Sequence, residues 1–381
     1  MHLLLIHQNF PGQFRDLAPA WLEQGHQVTG LGSAPAPDQA PRWEGLTYLQ
    51  YSLDGIEEPS AEQRGQAVAQ ACQQLQRTVG SPALVLVHTG WGEAQYLRSV
   101  FPATPLVVFP ELWGHPGALG YGFDQHLEGQ TADIRWFEHQ NQLAAEAIHQ
   151  SDAVLVACEA QRQSFPAPLR DRLLVLPEGL VLERYNADPA AELRWAGHRF
   201  TADQPLVTLV SRTLEPLRGV RQALLAWPSI AAAIPKAQLV LVGDRGEGYG
   251  MEPTTAQSDH FSAALESLPN NVDHQRIHWL GTLNHPSMVQ LLQRSACHLA
   301  LSYPYTLSWS VLEAMACGAA LVSNHGSPIA PELIDGQNGL LVPFNDDQAL
   351  AEAVIGLLND PVRRTQLGTA ARDTIEQRFS L

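Results

Sequence analysis

Short apolar runs alternate with helix-period stretches along the whole chain, and that rhythm narrows the fold more than any other feature. In the first half the runs are HLLLIH (2–7), QVTGLG (27–32), ALVLVH (83–88), PLVVF (105–109), AVLVA (153–157) and RLLVLP (172–177). The second half repeats the scheme with LVTLV (206–210), QLVLVG (238–243), IHWLG (277–281), CHLALS (297–302) and ALVSN (320–324). Continuous leucine and β-branched runs separated by helices are how parallel strands buried on both faces read. The pattern predicts an α/β protein of two doubly wound, Rossmann-like domains facing each other across a cleft. A chain of 381 residues, at about 150 per domain, is long enough for both. The expected domains are 1–186 and 205–381, joined through 187–204, where the strand rhythm lapses into charged, alanine-rich sequence.

Within the first domain, Phe14, Leu17, Ala18, Trp21 and Leu22 recur on one helical face before Gly25. Pro19 falls inside that pattern, so a kinked helix is expected.

Charge and composition exclude several classes. Thirty-nine acidic residues against 23 basic ones give a net charge of −16, which disfavours nucleic-acid or anionic-membrane surfaces. Lys236 is the only lysine, and it sits in a loop before a strand, where a solvated role is expected. Neither a Walker-type phosphate lysine nor Schiff-base chemistry is available, so anion binding by charge falls to arginine. Cys72, Cys158, Cys297 and Cys317 are scattered, without metal-ligand or disulfide spacing, and fit a reducing compartment. A basic leader and an apolar run of 18 residues are both missing, so the expected location is cytoplasmic, with peripheral attachment at the inner membrane face compatible.

Four stretches carry candidate chemistry. In HQNFPGQF (7–14), Pro11 and Gly12 follow the first strand at the end where open α/β sheets hold ligands. Gly12 lets backbone come close to a ligand, Pro11 stiffens the loop, and Gln8, Asn9 and Gln13 offer neutral hydrogen-bonding groups. In SRTLEPLRG (211–219), Arg212 and Arg218 follow a strand and can grip a diphosphate; two surface arginines paired with Glu215 are an equal alternative. In YPYTLSWSVLEAMACG (303–318), a helix expected near Ser310 would offer the amides of Leu307, Ser308 and Trp309 to a phosphate. Spacing makes Ser310 and Glu313 a capping box, with a ligand-binding role for Glu313 the alternative. Farther on, Asn345, Asp346 and Asp347 read as helix caps rather than metal ligands. His88, Trp91, Glu93, Glu111, Trp113, His115, Arg135 and Asn141 fall at or beyond strand ends and are candidates for the acceptor side. For His88 and the tryptophans, plain packing competes with that role.

SVLEAMACG, with APELIDGQNGLLV downstream and SRTLEPLRG upstream, resembles the retaining glycosyltransferases of family four, which have the two-domain GT-B fold. HQNFPGQFRDLAPAWLEQGHQV and VHTGWGEAQYLRSVFP resemble a bacterial subgroup of that family. The resemblance implies a hexosyltransferase that takes a UDP-, GDP- or ADP-linked sugar as donor, has no tightly bound cofactor and does not require a metal. It implies a sugar, lipid-linked or small-molecule acceptor. By the same resemblance Arg212 and Arg218 bind the donor diphosphate, and Glu313 binds the ribose. Leu307, Ser308 and Trp309 contact phosphate, Leu283 lies beside the base, and Gly12 lies near the phosphates and the transferred sugar.

Two departures accompany it. Tyr305 stands where the family has its first glutamate, and Glu111 stands where a histidine is common. Both are positions beside the transferred sugar. A mechanism in which the acceptor attacks from the leaving-group side needs no nucleophilic carboxylate. The competing reading is a catalytically silent sugar-nucleotide-binding or partner subunit. Relatives also usually continue beyond the position of Leu381 into a helix that crosses back to the first domain.

Overall fold

The computed structural model describes residues 1–381 except 34–42, 54, 57, 130, 189–192, 196, 202, 247, 249–258, 270 and 271. It divides into two compact units: residues 1–115, 133–180 and 381 form the first, and residues 116–132 and 181–380 the second.

The first unit is built on a seven-stranded sheet: β1 (His2–Ile6), β2 (Gln27–Gly32), β3 (Leu46–Gln50), β4 (Leu84–His88), β5 (Leu106–Phe109), β6 (Ala153–Val156) and β7 (Leu173–Val175). Every pairing is parallel, in the order β3-β2-β1-β4-β5-β6-β7. Alternation in β1 explains why its whole run is apolar. Leu4 and Ile6 enter one core with Val68, Cys72 and Leu97, while Leu5 enters the other with Phe10 and Phe14. The order reverses direction between β1 and β4, leaving a crevice outside their carboxyl ends.

The second unit repeats the plan with β10 (Leu206–Thr213), β11 (Gln238–Asp244), β12 (Ile277–Trp279), β13 (Ser295–Ala300), β14 (Leu321–Asn324) and β15 (Leu340–Val342). Its order is β12-β11-β10-β13-β14-β15, again parallel throughout, with the reversal between β10 and β13. Ahead of it, β8 (Leu193–Trp195) and β9 (His198–Phe200) make a small antiparallel hairpin, and the Trp195 indole donates to the Leu280 carbonyl at 2.9 Å.

The α/β fold of two parallel sheets is as the sequence predicts, with differences of detail. β3 and β15 were not anticipated. β3 is an edge strand with little burial, and β15 is only three residues long. The stretch expected as a plain linker holds the β8–β9 hairpin, while its residues 189–192, 196 and 202 lie outside the described set. Phe14 belongs to a separate 3-10 turn, Gly12–Phe14, and the α-helix starts only at Leu17. Pro19 is therefore in the first helical turn, where no backbone N–H is required, and the expected interior kink has no cause.

The described residues of 116–132 group with the second unit. The Phe123 ring lies 5.1 Å from that of Phe344 and 5.9 Å from that of Tyr303. Asn345 brackets the same turn, donating to the Phe123 carbonyl at 2.7 Å and accepting from the Gln125 amide at 3.2 Å. The Asp124 carboxylate, fully buried, accepts from Arg221 and from the Tyr303 hydroxyl.

Candidate functional site

In the first unit, side chains from the ends of β1, β4 and β5 converge at the reversal point. His7 directly follows β1, His88 ends β4, and Glu111 lies two residues beyond β5. Glu111 is the one described non-glycine residue with positive φ, at 54°. That conformation costs about 1–2 kcal/mol for an L-residue and persists only where neighbours enforce it. Here Gln161, itself buried, donates to the Glu111 carbonyl at 2.8 Å. The carboxylate is thereby aimed at His88, whose Nε2 lies 3.4 Å from Oε2, and at Gln13, which donates to Oε1.

The imidazoles of His7 and His88 are 4.8 Å apart, and the Trp91 ring lies 4.9 Å beyond His88. Their roles differ. The Asn9 amide donates to His7 Nδ1 at 2.9 Å, and burial pulls the His7 pKa down to about 3, so this ring is neutral. Burial also opposes protonation of His88, but the Glu111 carboxylate outweighs it and raises the pKa above the ordinary value. The Gly90 amide, 3.3 Å from His88 Nδ1, favours the ring proton on Nε2, facing Glu111. Reciprocally, His88 overcomes the desolvation of Glu111 and holds its carboxyl below the usual range.

Gly12 has a role inside the fold. Its φ is 46°, and a Cβ there would lie 2.5 Å from the His7 ring. The missing side chain thus makes room for His7. Behind the corner, Glu93 is fully buried, accepting from the Trp91 amide at 3.2 Å and from the Tyr51 hydroxyl at 3.4 Å; desolvation raises its pKa.

Of the other residues read as acceptor-side, Trp113 packs on Phe165, and Asn141 clamps Gly114 through both of its amide atoms. Arg135 is exposed and paired with Asp133. His115 is partly buried, with its pKa lowered for that reason.

In the second unit the reversal point is lined from both sides. Arg212 lies on the exposed end of β10, and Arg218 ends the 3-10 turn Pro216–Arg218 that follows. The Arg218 guanidinium donates to the Ser302 hydroxyl and the Thr306 carbonyl, each at 3.1 Å, and sits 5.8 Å from the centre of the Tyr305 ring. A small pocket there is lined by Val210, Arg218, Ser302, Leu307, Ser308 and Ser327 among others.

The helix opens at Trp309, with Ser308 as its N-cap residue. The expected capping box is not formed. Ser310 is already inside the helix, and its hydroxyl donates to the Val210 carbonyl at 2.8 Å. The Glu313 carboxylate, 1% exposed, instead accepts from the Tyr185 hydroxyl at 3.0 Å, and His285 Nε2 lies 3.1 Å from the same oxygen. Tyr185 and His285 were not singled out from sequence. His285 was the more findable, since it opens a helix just past β12, at the carboxyl end of the sheet. Leu283, half-buried, lies at that same end.

Asp346 caps its helix by accepting from the Ala349 amide, as its spacing suggests, and Lys236 pairs with Asp203 at the surface. The described residues include no cluster of three or more His, Cys, Asp or Glu placed to hold a metal ion. They also include no helix long and apolar enough to cross a membrane. All four cysteines are buried thiols.

Two family models match the chain: "Glycosyl transferase family 4 group" over residues 25–184 and "Glycosyl transferases group 1" over residues 196–374. The chain is 30% identical over 218 residues to a GDP-mannose-dependent monoacylated alpha-(1-6)-phosphatidylinositol monomannoside mannosyltransferase of Corynebacterium glutamicum, covering 54% of this chain and 52% of that one. It is 28% identical over 302 residues to the alpha-maltose-1-phosphate synthase of Mycolicibacterium smegmatis, covering 72% and 75%. The match thus spans about half the length of the first relative and three quarters of the second. Among solved structures, sucrose-phosphate synthase from Thermosynechococcus elongatus superposes with a TM-score of 0.74 at 20% identity, covering 100% and 95%. Anabaena HepE in complex with UDP-glucose gives 0.66 at 18%, covering 100% and 96%.

Proposed function

This chain is GT4-like in both halves and has the GT-B fold, and we propose that it moves a hexosyl group from a nucleoside-diphosphate sugar to a hydroxyl acceptor with retention of configuration. One observation supports this most: the second unit's reversal point gathers Arg218, a pocket beside Ser302 and Ser308, and a helix start at Trp309. Arginine and a helix N-terminus both favour a diphosphate.

On this reading Arg212 and Arg218 hold the diphosphate with the backbone around Leu307, Ser308 and Trp309. Glu313, steadied by Tyr185 and His285, takes the ribose hydroxyls, and Leu283 borders the base. The departing nucleoside diphosphate is already a good leaving group, so the main demand is to stabilise the charge that develops on its phosphate. No general acid of glycosidase type is needed. Tyr305, beside Arg218, faces the transferred sugar, and Glu111 in the first unit offers a carboxylate to an acceptor hydroxyl. The two relatives above, by their names a lipid mannosyltransferase and a maltose-1-phosphate synthase, support a sugar, lipid-linked or small-molecule acceptor.

Tyr305 favours a second reading, a sugar-nucleotide-binding subunit without turnover, because a buried tyrosine occupies the family's glutamate position. A panel of UDP-, GDP- and ADP-sugars separates the two. Slow release of nucleoside diphosphate from one donor, accelerated by an acceptor, supports transfer. Tight binding without release under all acceptors overturns it in favour of the silent subunit.

A further inference from the structure

We propose that Asp124 is a positioning residue for the diphosphate site of the second unit, its carboxylate tying Tyr303 on one wall of that site to Arg221 on the other. The inference rests on the reading of the site as one for a nucleoside diphosphate, and it adds the residue that holds the two walls in register.

One wall is the 3-10 turn Pro216–Arg218 and the helix Val220–Ala233 that follows it. The other is the stretch from Ser302 to Ser308, which leads into the helix opening at Trp309. The pocket between them takes Arg218 from the first wall and Ser302, Leu307 and Ser308 from the second. Near the ligand side the walls are joined by Arg218, which donates to the Ser302 hydroxyl and to the Thr306 carbonyl, each at 3.1 Å. A diphosphate gripped by Arg218 competes for those same donors. A tie that survives occupancy has to lie elsewhere.

Asp124 supplies it. The side chain is fully buried, and one carboxylate oxygen accepts both from Arg221, in the first turn of the helix after Arg218, and from the Tyr303 hydroxyl at 2.6 Å. Its other oxygen accepts from the His126 amide at 3.0 Å, which fixes the carboxylate within its own turn. Burial and the adjacent carboxylate push the Tyr303 hydroxyl well above its ordinary pKa, so it stays a donor. The described lining of the pocket includes neither Asp124, Arg221 nor Tyr303, so a ligand there leaves these bonds in place.

Tyr303 passes the constraint on through its backbone. Its amide donates to the Leu217 carbonyl at 3.0 Å, next to Arg218. Its carbonyl accepts from the Ser302 hydroxyl at 2.8 Å and from the Tyr305 amide at 2.7 Å. The hydroxyl that receives Arg218 is therefore itself aimed by Tyr303. The ring has one seat: it lies 5.9 Å from Phe123 and 5.3 Å from Phe344, and a Cβ on Gly120 would come within 2.4 Å of it. Gly120, Phe123 and Asp124 all belong to the segment that lies between β5 and β6 in the chain yet groups with the second unit. Bracing this site gives that excursion a purpose.

Tyr303→Phe keeps the ring and removes only its hydroxyl, and Asp124→Asn keeps the size and removes the charge. Calorimetry compares UDP, GDP and ADP with their nucleosides in wild type and both variants, at a temperature where circular dichroism shows each one folded. In both variants the affinity for the preferred diphosphate falls at least about fivefold while that for its nucleoside holds. Nitrogen NMR of the arginine guanidinium groups, with Arg218 assigned through Arg218→Lys, needs no ligand: its slow rotation about Nε–Cζ in wild type speeds up in Tyr303→Phe. Variants that lose stability but keep the ratio of diphosphate to nucleoside affinity overturn the inference and leave the underlying reading standing, and so does an unchanged rotation of Arg218. A wild type that does not prefer any diphosphate to its nucleoside overturns the reading and the inference together.

Discussion

The two reversal points are built alike and charged oppositely. Each lies at the carboxyl ends of central parallel strands, β1 and β4 in the first unit and β10 and β13 in the second. The first presents the Glu111 carboxylate with a neutral His7 and a supporting His88. The second presents arginines and the amino end of a helix. One backbone plan, used twice, thus yields a corner suited to hydroxyl donors and a corner suited to a diphosphate. The fold supplies the position, and a handful of side chains supply the chemistry.

The largest effect that can probe this contrast concerns the Asp124 carboxylate, which is buried against Arg221 and Tyr303. Asp124→Ala leaves Arg221 without its carboxylate and costs about 3 kcal/mol in urea unfolding of the second unit. Loss of less than about 1 kcal/mol would mean that the 116–132 segment is not anchored there.

Next is the packing of the first corner. Gly12→Ala combines a positive φ with a Cβ 2.5 Å from the His7 ring, whereas Gly122, at φ 73°, has nothing within 4 Å of its Cβ position. Gly12→Ala is expected to destabilise by about 2–3 kcal/mol and Gly122→Ala by about 1 kcal/mol, the difference being steric. Equal losses would mean that His7 moves aside freely.

Acidification acts on one buried neutral histidine in each unit, while His88, with its raised pKa, opposes it in the first. His7 has its folded-state pKa pulled down to about 3, and His298 in the second unit to about 4, both mainly by burial. Since both lie below the ordinary 6.5, the unfolded chain binds these protons first. Stability is therefore lost as pH falls below 6.5, by about 2 kcal/mol per histidine at pH 5. Urea midpoints at pH 7 and pH 5, in wild type and His7→Gln, measure it. A flat profile would show that the folded rings accept protons.

The smallest effect separates a purely structural role from a ligand role at Glu313. Glu313→Gln retains a hydrogen-bond acceptor for Tyr185 and is expected to change stability by under about 1 kcal/mol, while nucleoside affinity falls about tenfold. Unchanged nucleoside affinity would remove Glu313 from the ribose site.

Sequence periodicity exposed the central strands of both sheets, whose apolar runs have no other use, and also the short edge strands β7 and β12. β3 and β15 escaped it: β3 is interrupted by Thr47 and Tyr48, and β15 lies in a loop-rich stretch read for its motif. Spacing also misled at Ser310 and Glu313. A capping box needs Ser310 at the helix boundary, yet the helix begins at Trp309 and Ser310 bonds across to β10. Glu111, Gln13 and His88 were each visible as residues near strand ends. Their convergence was not, since it depends on which strands are neighbours and on the left-handed turn at Glu111. Asp124 gave no signal at all, because its partners Arg221 and Tyr303 are 97 and 179 residues away.

The proposed function stands or falls with recognition of a nucleoside diphosphate at the second unit's reversal point. Calorimetric titration of UDP, GDP, ADP and their nucleosides into wild type, Arg218→Ala and Arg212→Ala measures that recognition. One diphosphate should bind wild type at least about tenfold more tightly than its nucleoside, and each substitution should remove most of that advantage while sparing the nucleoside. Equal affinity for diphosphate and nucleoside in wild type, or equal losses for both in the variants, would contradict it.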